Sequence, residues 1–392
     1  MTEVVFWVAA VFLFYLYAGY PVILFVSGLG RRKKSPAVNF EPTVSLVIAA
    51  HNEEVVIREK IENSLSLDYP PDRLEILVAS DASTDGTNAI VKEYCDRGVR
   101  LMVREKREGK TSVLNAACPL AKGEILVLSD ANGMFRSDAI RKLARCFADP
   151  GVGCVSGALR YIDLSRRTSD EGESFLLRYD AWIKKMESRL GTVIGAFGGI
   201  FAFRRDLFES MDPMLSNDLE IPLQILRRGY KVLYEEEAVC LEPASPRVGI
   251  QFQRHARISA RAFYGAMRWI RCLLNPFRPL ILFQFVSKKI LRWLSPFFLF
   301  ALLGTPFFID GLFYQALRFV YLLFLLTAAA GGIPYWVGNS RPVISLPFYF
   351  IVGNLAVLWG FVKFLTQSQG PTWAVAREPS LPRQASGRAD LS

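Results

Sequence analysis

Gly123-Glu124-Ile125-Leu126-Val127-Leu128-Ser129-Asp130-Ala131-Asn132-Gly133-Met134 is the stretch on which the fold of this chain turns. Four apolar residues, 125–128, end in Ser129-Asp130-Ala131-Asn132. Such a run, bounded by turn residues, reads as a buried strand, with the acid and the amide projecting from its C-terminal edge. In open α/β sheets that edge is where ligands bind. A carboxylate and an amide oxygen two residues apart suit a hard divalent cation, Mg2+ or Mn2+, that carries phosphates. Taken alone, the segment is equally a strand followed by an aspartate helix cap. The rest of the chain decides between the two.

Around this stretch, 44–49, 74–79 and 99–103 read as further strands, with helices at 54–65, 87–97, 111–117 and 138–147 between and after them. That alternation predicts a parallel, doubly wound α/β sheet. The later elements are less regular: a strand at 152–157, a long helix at 173–190, a Gly-rich turn at 195–199, a strand at 200–203, a helix at 218–228 and a short strand at 231–234. Together they predict one catalytic domain over 43–245. Two phosphate-binding motifs are missing. Gly109-Lys110-Thr111 lacks the glycine a Walker loop needs five positions before Gly109, where Arg104 stands. No GxGxxG follows the first strand. Phosphates are then left to a metal and to basic side chains.

The chain has 392 residues, 51% of them hydrophobic, and a net charge of +10. Its length suggests two or three domains. Residues 4–30 carry no charge and suffice to cross a bilayer as a helix over 1–30. Arg31-Arg32-Lys33-Lys34 follow, which predicts a cytoplasmic domain and an external N-terminus. Charges after the apolar run, with no small-residue cleavage site, argue against a cleaved leader. Further apolar stretches at 293–309, 319–339 and 342–362 predict a C-terminal membrane region over 293–366. Residues 254–292 are basic and interleaved with Phe, Trp and Leu, which predicts interfacial helices over 246–292 on an anionic membrane face. With the basic residues beside the membrane segments and no nucleic-acid motif, the charge reads as membrane adhesion and phosphate binding, without nucleic acid. A transporter is disfavoured because no charged pathway is visible inside the spans. The tail at 367–392, rich in Pro, Ser, Gly and Arg, reads as disordered. Six cysteines without CxxC spacing read as free buried thiols. Two histidines, His51 and His255, give no zinc pattern.

The strand ends carry Ala49-Ala50-His51-Asn52-Glu53-Glu54, Asp81-Ala82-Ser83-Thr84-Asp85-Gly86 and Asp130-Ala131-Asn132. Asn217-Asp218, Arg228-Gly229-Tyr230 and Gln253-Arg254-His255-Ala256-Arg257 follow. In this order and spacing the chain resembles membrane-bound family 2 glycosyltransferases of the GT-A fold over nearly its whole length. The resemblance implies that Glu53, Asp81, Lys110 and Asp130 bind a nucleotide-sugar, with Asp81 on the uracil or ribose. It implies that Asp130 and Asn132 hold a divalent cation, with an amide replacing the second acid of the usual Asp-x-Asp pair. Gly198 and Gly199 match a loop that lets the acceptor approach, and Glu220 is expected to line the acceptor site. Asp218 matches the base of an inverting transfer, and Arg254 and Arg257 match arginines that neutralise a departing diphosphate. Ile258 stands where processive polysaccharide synthases carry Trp.

The resulting expectation is an inverting transfer from a nucleotide-sugar, UDP-linked, to a lipid or lipid-linked glycan at the inner membrane. A processive polysaccharide synthase is the alternative within the enzyme class. A catalytically inactive scaffold in a polysaccharide assembly complex is the alternative outside it; Asn132 favours it, and the intact Asp81, Asp130, Asp218 and Arg257 oppose it.

Overall fold

Every residue of β1 (Val44–Ala50) is buried. A strand buried throughout needs neighbours on both edges and cover on both faces. The computed structural model, which describes residues 1–31, 40–162, 171–243, 248–273, 278–337, 342–368 and 370, supplies both. Arg32, Lys33, Lys34 and nearly all of the tail at 367–392 lie outside the described residues. β1 pairs in parallel with β2 (Leu74–Asp81) on one side and with β4 (Ile125–Asp130) on the other; β3 (Val99–Arg104) continues in parallel beyond β2. The strand order therefore reverses at β1, the place where a ligand crevice opens in such sheets. Register sets Ala49 between Ala79 and Asp130, so the three strand ends gather at one edge.

The sheet is not parallel throughout, as the alternation predicted. β7 (Ile200–Arg204) runs antiparallel to β4 and to β6 (Val152–Ile162). β8 (Lys231–Pro243) and β5 (Met134–Phe135) complete the order β3-β2-β1-β4-β7-β6-β8-β5. The chain leaves β6, passes through helix Glu171–Arg189 and re-enters the sheet from the end where β4 stops, so β7 must run back against it. Ile200 pairs with Ser129. The turn at 195–199 is thereby delivered beside Asp130, which a parallel strand would not have done.

β6 and β8 also run longer than expected. The acidic run Glu235-Glu236-Glu237 interrupts the apolar pattern of β8, but each carboxylate meets a cation. Glu235 lies 3.4 Å from Arg145, Glu236 2.8 Å from Lys185 and Glu237 2.7 Å from Lys142. Those pairs let the strand continue to Glu242. Of the described cysteines, Cys95 is exposed rather than buried as expected.

Among the described residues four helices are long and apolar enough to cross a membrane: Thr2–Gly28, Pro279–Phe308, Leu312–Gly331 and Pro347–Leu365. The second begins at Pro279 rather than at 293, inside the stretch expected to lie on the membrane surface. It therefore contains charges, contrary to the expectation of spans without them, and protein groups absorb two of these. Lys288 donates to Glu187 at 2.9 Å, and both Lys288 and Arg292 lie 3.7 Å from Asp180. Tyr20, from the first span, donates to the same Glu187 at 2.5 Å. Helix Val248–Leu273 crosses the last span at Gly360, where an added side-chain carbon would lie 2.6 Å from Ala256 O and Ser259 Cβ. Phe263 packs on Phe361 at 5.1 Å between ring centroids. That crossing fixes the helix that carries Arg254 and Arg257.

Candidate active site

A cavity of about 400 Å³ opens at the C-terminal edge of β1 and β4. Glu53, Lys110, Asp130 and Asn132 line it, followed by Gly198, Gly199 and Asp218, with Arg254 and Arg257 across from them. The structure thus gathers every expected site residue except Asp81 and Glu220.

Asp81 is fully buried, and its two carboxylate oxygens accept the amides of Glu108 and Gly109 at 2.9 and 2.8 Å. Gly109 has φ +98, which favours glycine. Asp81 therefore pins the turn that launches Lys110 rather than lining the cavity. Lys110 begins helix Lys110–Ala117 and ion-pairs with Asp130. Glu220 is turned away as well: its Oε2 accepts the Asp212 amide at 3.2 Å behind helix Asn217–Arg227. Two positions past Asp218 on a helix is about 200° round the axis, so both side chains cannot face one cavity. Glu53 follows Asn52, whose φ is +52 and whose Oδ1 accepts the Thr84 amide at 2.8 Å. The Glu53 amide donates to Thr87 Oγ1 at 2.7 Å.

Asp218 lies in the first turn of helix Asn217–Arg227, and Ser216 donates to its carboxylate. The helix contains Pro222, four residues on. Proline has no N–H to give the Asp218 carbonyl; that carbonyl instead accepts the Ala196 amide at 2.7 Å. The bond ties the turn at 195–199 to the helix. A side-chain carbon on Gly198 would lie 3.4 Å from Asp218 Oδ2. Across the cavity, burial pulls Arg257 down to about 10, aided by Arg261 and Arg254. Arg254 and Arg257, expected at a departing diphosphate, both line the cavity.

This arrangement is a carboxylate, two arginines and an acid–amide pair around one space at a sheet edge. Residues 45–211 match the family described as Glycosyl transferase family 2. The chain carries a family 2 glycosyltransferase domain. The glycosyltransferase is 27% identical to a Beta-monoglucosyldiacylglycerol synthase of Nostoc sp. over 47% of its own length and 41% of that protein's, so it spans under half of that relative. It is 21% identical to the Poly-beta-1,6-N-acetyl-D-glucosamine synthase of Staphylococcus epidermidis over 84% of its length and 86% of that chain. Its fold is that of a mannosyltransferase from Pyrobaculum calidifontis, solved with GDP-Man and Mn2+. That match has a TM-score of 0.70 and 23% identity, over 94% of this chain and 100% of that one. The domain is therefore of the GT-A type.

Glu242 of the glycosyltransferase was missed by sequence reading. It lines the cavity while 3% exposed. Burial and the neighbouring Asp130 push its carboxyl up to about 7, against Arg254, Lys110 and Lys60. A side-chain carbon on Gly199 would fall 2.2 Å from its Oε1, so Gly199 makes room for Glu242 rather than for a ligand alone. Lys60, fully buried, donates to the Gly133 carbonyl just beyond Asn132, and its ammonium sits 4.0 Å from the Phe135 ring centroid. Its place on helix Ile57–Leu65, distant in sequence from Gly133, gave no sequence signal.

Proposed function

We propose that this glycosyltransferase moves a sugar from a UDP-linked donor to a lipid or lipid-linked glycan, with inversion, at the cell inner membrane with its catalytic domain cytoplasmic. One observation carries the reading. A single cavity is lined by Lys110, Asp130, Asn132 and Asp218 and also by Lys289 and Trp293 of a candidate span. Donor chemistry and membrane wall share one space. The relative named a Beta-monoglucosyldiacylglycerol synthase agrees with a lipid acceptor. The basic residues after the first span favour the cytoplasmic face.

The donor set fits a divalent cation. Asp130 and Asn132 offer hard oxygens, and Glu242 adds a second carboxyl close enough to Asp130 to be pushed up by it. Among the described residues no three His, Cys, Asp or Glu side chains form a closed metal cluster, which suits a site completed by diphosphate oxygens and water. Asp130 and Asn132 would hold Mg2+ or Mn2+, which when bound offsets diphosphate charge.

Asp218 takes the acceptor hydroxyl's proton as that oxygen forms its bond to the anomeric carbon. The bond from that carbon to the diphosphate oxygen breaks on the opposite face, and its electron pair leaves with UDP. Arg254 and Arg257 neutralise the charge that grows on the departing diphosphate. Lys110 moves between Asp130 and the donor, and Glu53 borders the nucleotide end. Gly198 keeps the approach to Asp218 open. The staphylococcal relative, matched over most of both chains, favours polymer synthesis as a second reading; Ile258 on the cavity wall opposes it.

The test is Asp218→Asn with UDP-sugars and membrane extract as acceptor. UDP binding should persist while transfer falls by about two orders of magnitude or more. Near-normal turnover would remove Asp218 from the chemistry.

A further inference from the structure

The peptide between Gly195 and Ala196 is held at both of its polar ends. Its N–H, from Ala196, donates to the Asp218 carbonyl at 2.7 Å. Its carbonyl, from Gly195, accepts from Lys184 Nζ at 3.0 Å. A peptide unit is planar and trans, so its N–H and C=O point in opposite directions and turn together. Rotation of this plane would break both bonds at once. Little in the turn itself resists that rotation. Gly195 has φ +81 and, without a Cβ, reaches conformations closed to other residues. The next anchored amide, Phe197 N–H on Ser156 Oγ at 2.9 Å, belongs to the following peptide.

Lys184 lies on helix Glu171–Arg189 and is 3% exposed. Its ammonium sits 4.8 Å from the Phe197 ring centroid. The charges that face it are Asp180 and Glu187 on its own helix and Lys288 and Lys289 on the span Pro279–Phe308, two of each sign. Cys154 of β6 also borders it, and burial keeps that thiol protonated. Among the described residues Lys184 forms no ion pair of its own: Asp180 and Glu187 are met by Lys288, Arg292 and Tyr20. Asp180, Lys184 and Glu187 are four and three positions apart, so they share one helix face. The outer two hold the membrane spans, and the middle one reaches the turn. An ammonium buried without an ion pair is costly, while its charge makes the bond to Gly195 stronger than a neutral donor would. Lys184 itself lies outside the cavity wall.

We propose that Lys184 is a positioning residue for transfer: it locks the Gly195–Ala196 peptide plane, and through the Ala196 amide it keeps Asp218 at its place in the cavity. The assignment rests on the reading of Asp218 as the base and adds to it a group that touches no substrate.

The test is Lys184→Met in the full-length protein in detergent, a substitution that removes the donor and nearly conserves volume. Three quantities are measured: amide hydrogen exchange, UDP affinity, and transfer kinetics with UDP-sugars and membrane extract. Exchange should quicken at least about tenfold at 195–197, the loss expected for one charge-assisted bond, and stay unchanged in β1. Turnover should fall about ten- to a hundredfold through misplacement of Asp218, with UDP affinity and the KM for UDP-sugar unchanged. Unchanged exchange at 195–197 overturns the proposal, because Lys184 then does not hold the plane. Quickened exchange with wild-type turnover overturns it too, because the plane then does not position the base. Exchange that quickens equally in β1 marks a general loss of stability and also overturns it. If the variant fails to bind UDP it is set aside as misfolded, and the wild type decides: the Ala196 amide should exchange at least about tenfold more slowly than an unstructured amide, and an unprotected one overturns the proposal. Near-normal turnover in Asp218→Asn would instead sink the base reading, while exchange in Lys184→Met still reports whether Lys184 holds the turn.

Discussion

Glu220→Gln separates two accounts of one helix, the acceptor-site role expected from sequence and the buried position found. Glu220 is 2% exposed, and burial pushes its carboxyl from 4.5 up to about 7, against Arg268 and the Asp212 amide. A carboxyl raised in the folded state keeps its proton after the unfolded chain has lost it. Its favourable contribution is fully present below pH 4.5 and is lost as pH rises through about 7. Above that, the ionised side chain costs the fold up to about 3 kcal/mol at about 1.36 kcal/mol per unit. Screening by solvent, which reaches the site beside the exposed Arg268, reduces this to about 1–2 kcal/mol. Glutamine keeps an oxygen for the Asp212 amide and carries no charge. In thermal unfolding of the full-length protein, the variant should melt about 3–6 °C above wild type at about pH 8, with the gap closing as pH falls toward 4.5. A gap that does not change with pH, or a variant less stable at high pH, would refute the reasoning. Transfer kinetics give a second readout: an unchanged acceptor KM is expected, and a raised one would return Glu220 to the acceptor site.

Asn132→Asp should lower the divalent-ion concentration needed for donor binding, whereas Asp130→Ala should abolish ion-dependent binding; activity that survives both chelation and Asp130→Ala would contradict a metal role. Arg257→Lys should lose turnover more than donor affinity, since a point charge does not reproduce the planar fork, and steady-state kinetics separate the two. Gly199→Ala should displace Glu242, whose Oε1 lies 2.2 Å from the new carbon, and lower UDP affinity at a stability cost of about 1–3 kcal/mol; wild-type UDP titration and melting in that variant would show that β7 gives way instead. The product should be one added sugar on a lipid-extractable acceptor, and a long insoluble polymer made by the purified protein would promote the processive reading.

The strand ends were legible because each couples a buried apolar run to a polar break: 125–128 before Asp130, and 44–49 before Glu53. What stayed hidden depended on contacts distant in sequence. Strand β8 hides behind Glu235-Glu236-Glu237, which reads as a loop until Arg145, Lys142 and Lys185 are placed against it. With β8 cut short, Glu242 could not be brought into the cavity. The antiparallel course of β7 was invisible because its five residues read the same in either direction. Asp81 was assigned by resemblance to the nucleotide, and only the positions of the Glu108 and Gly109 amides reveal the turn it secures. Lys288 and Lys289 looked like surface charge because their sequence neighbours are basic; Asp180 and Glu187, about a hundred residues away, hold the first.

Pro222 defines a unit of exchange. Because Pro222 offers the Asp218 carbonyl no N–H and the Ala196 amide donates to it instead, the turn at 195–199 and the first turn of that helix behave as one joined piece. Grafting a turn from a relative with a different specificity would separate the partners unless residues 195–222 travelled together. The same joint restricts how insertions can enter: lengthening the chain within 197–217 leaves both bonded ends in place, whereas one residue added between Asp218 and Pro222 restores a helical donor to the carbonyl and sets two amides in competition for it. Specificity in this fold can thus change between the anchors while Asp218 keeps its position.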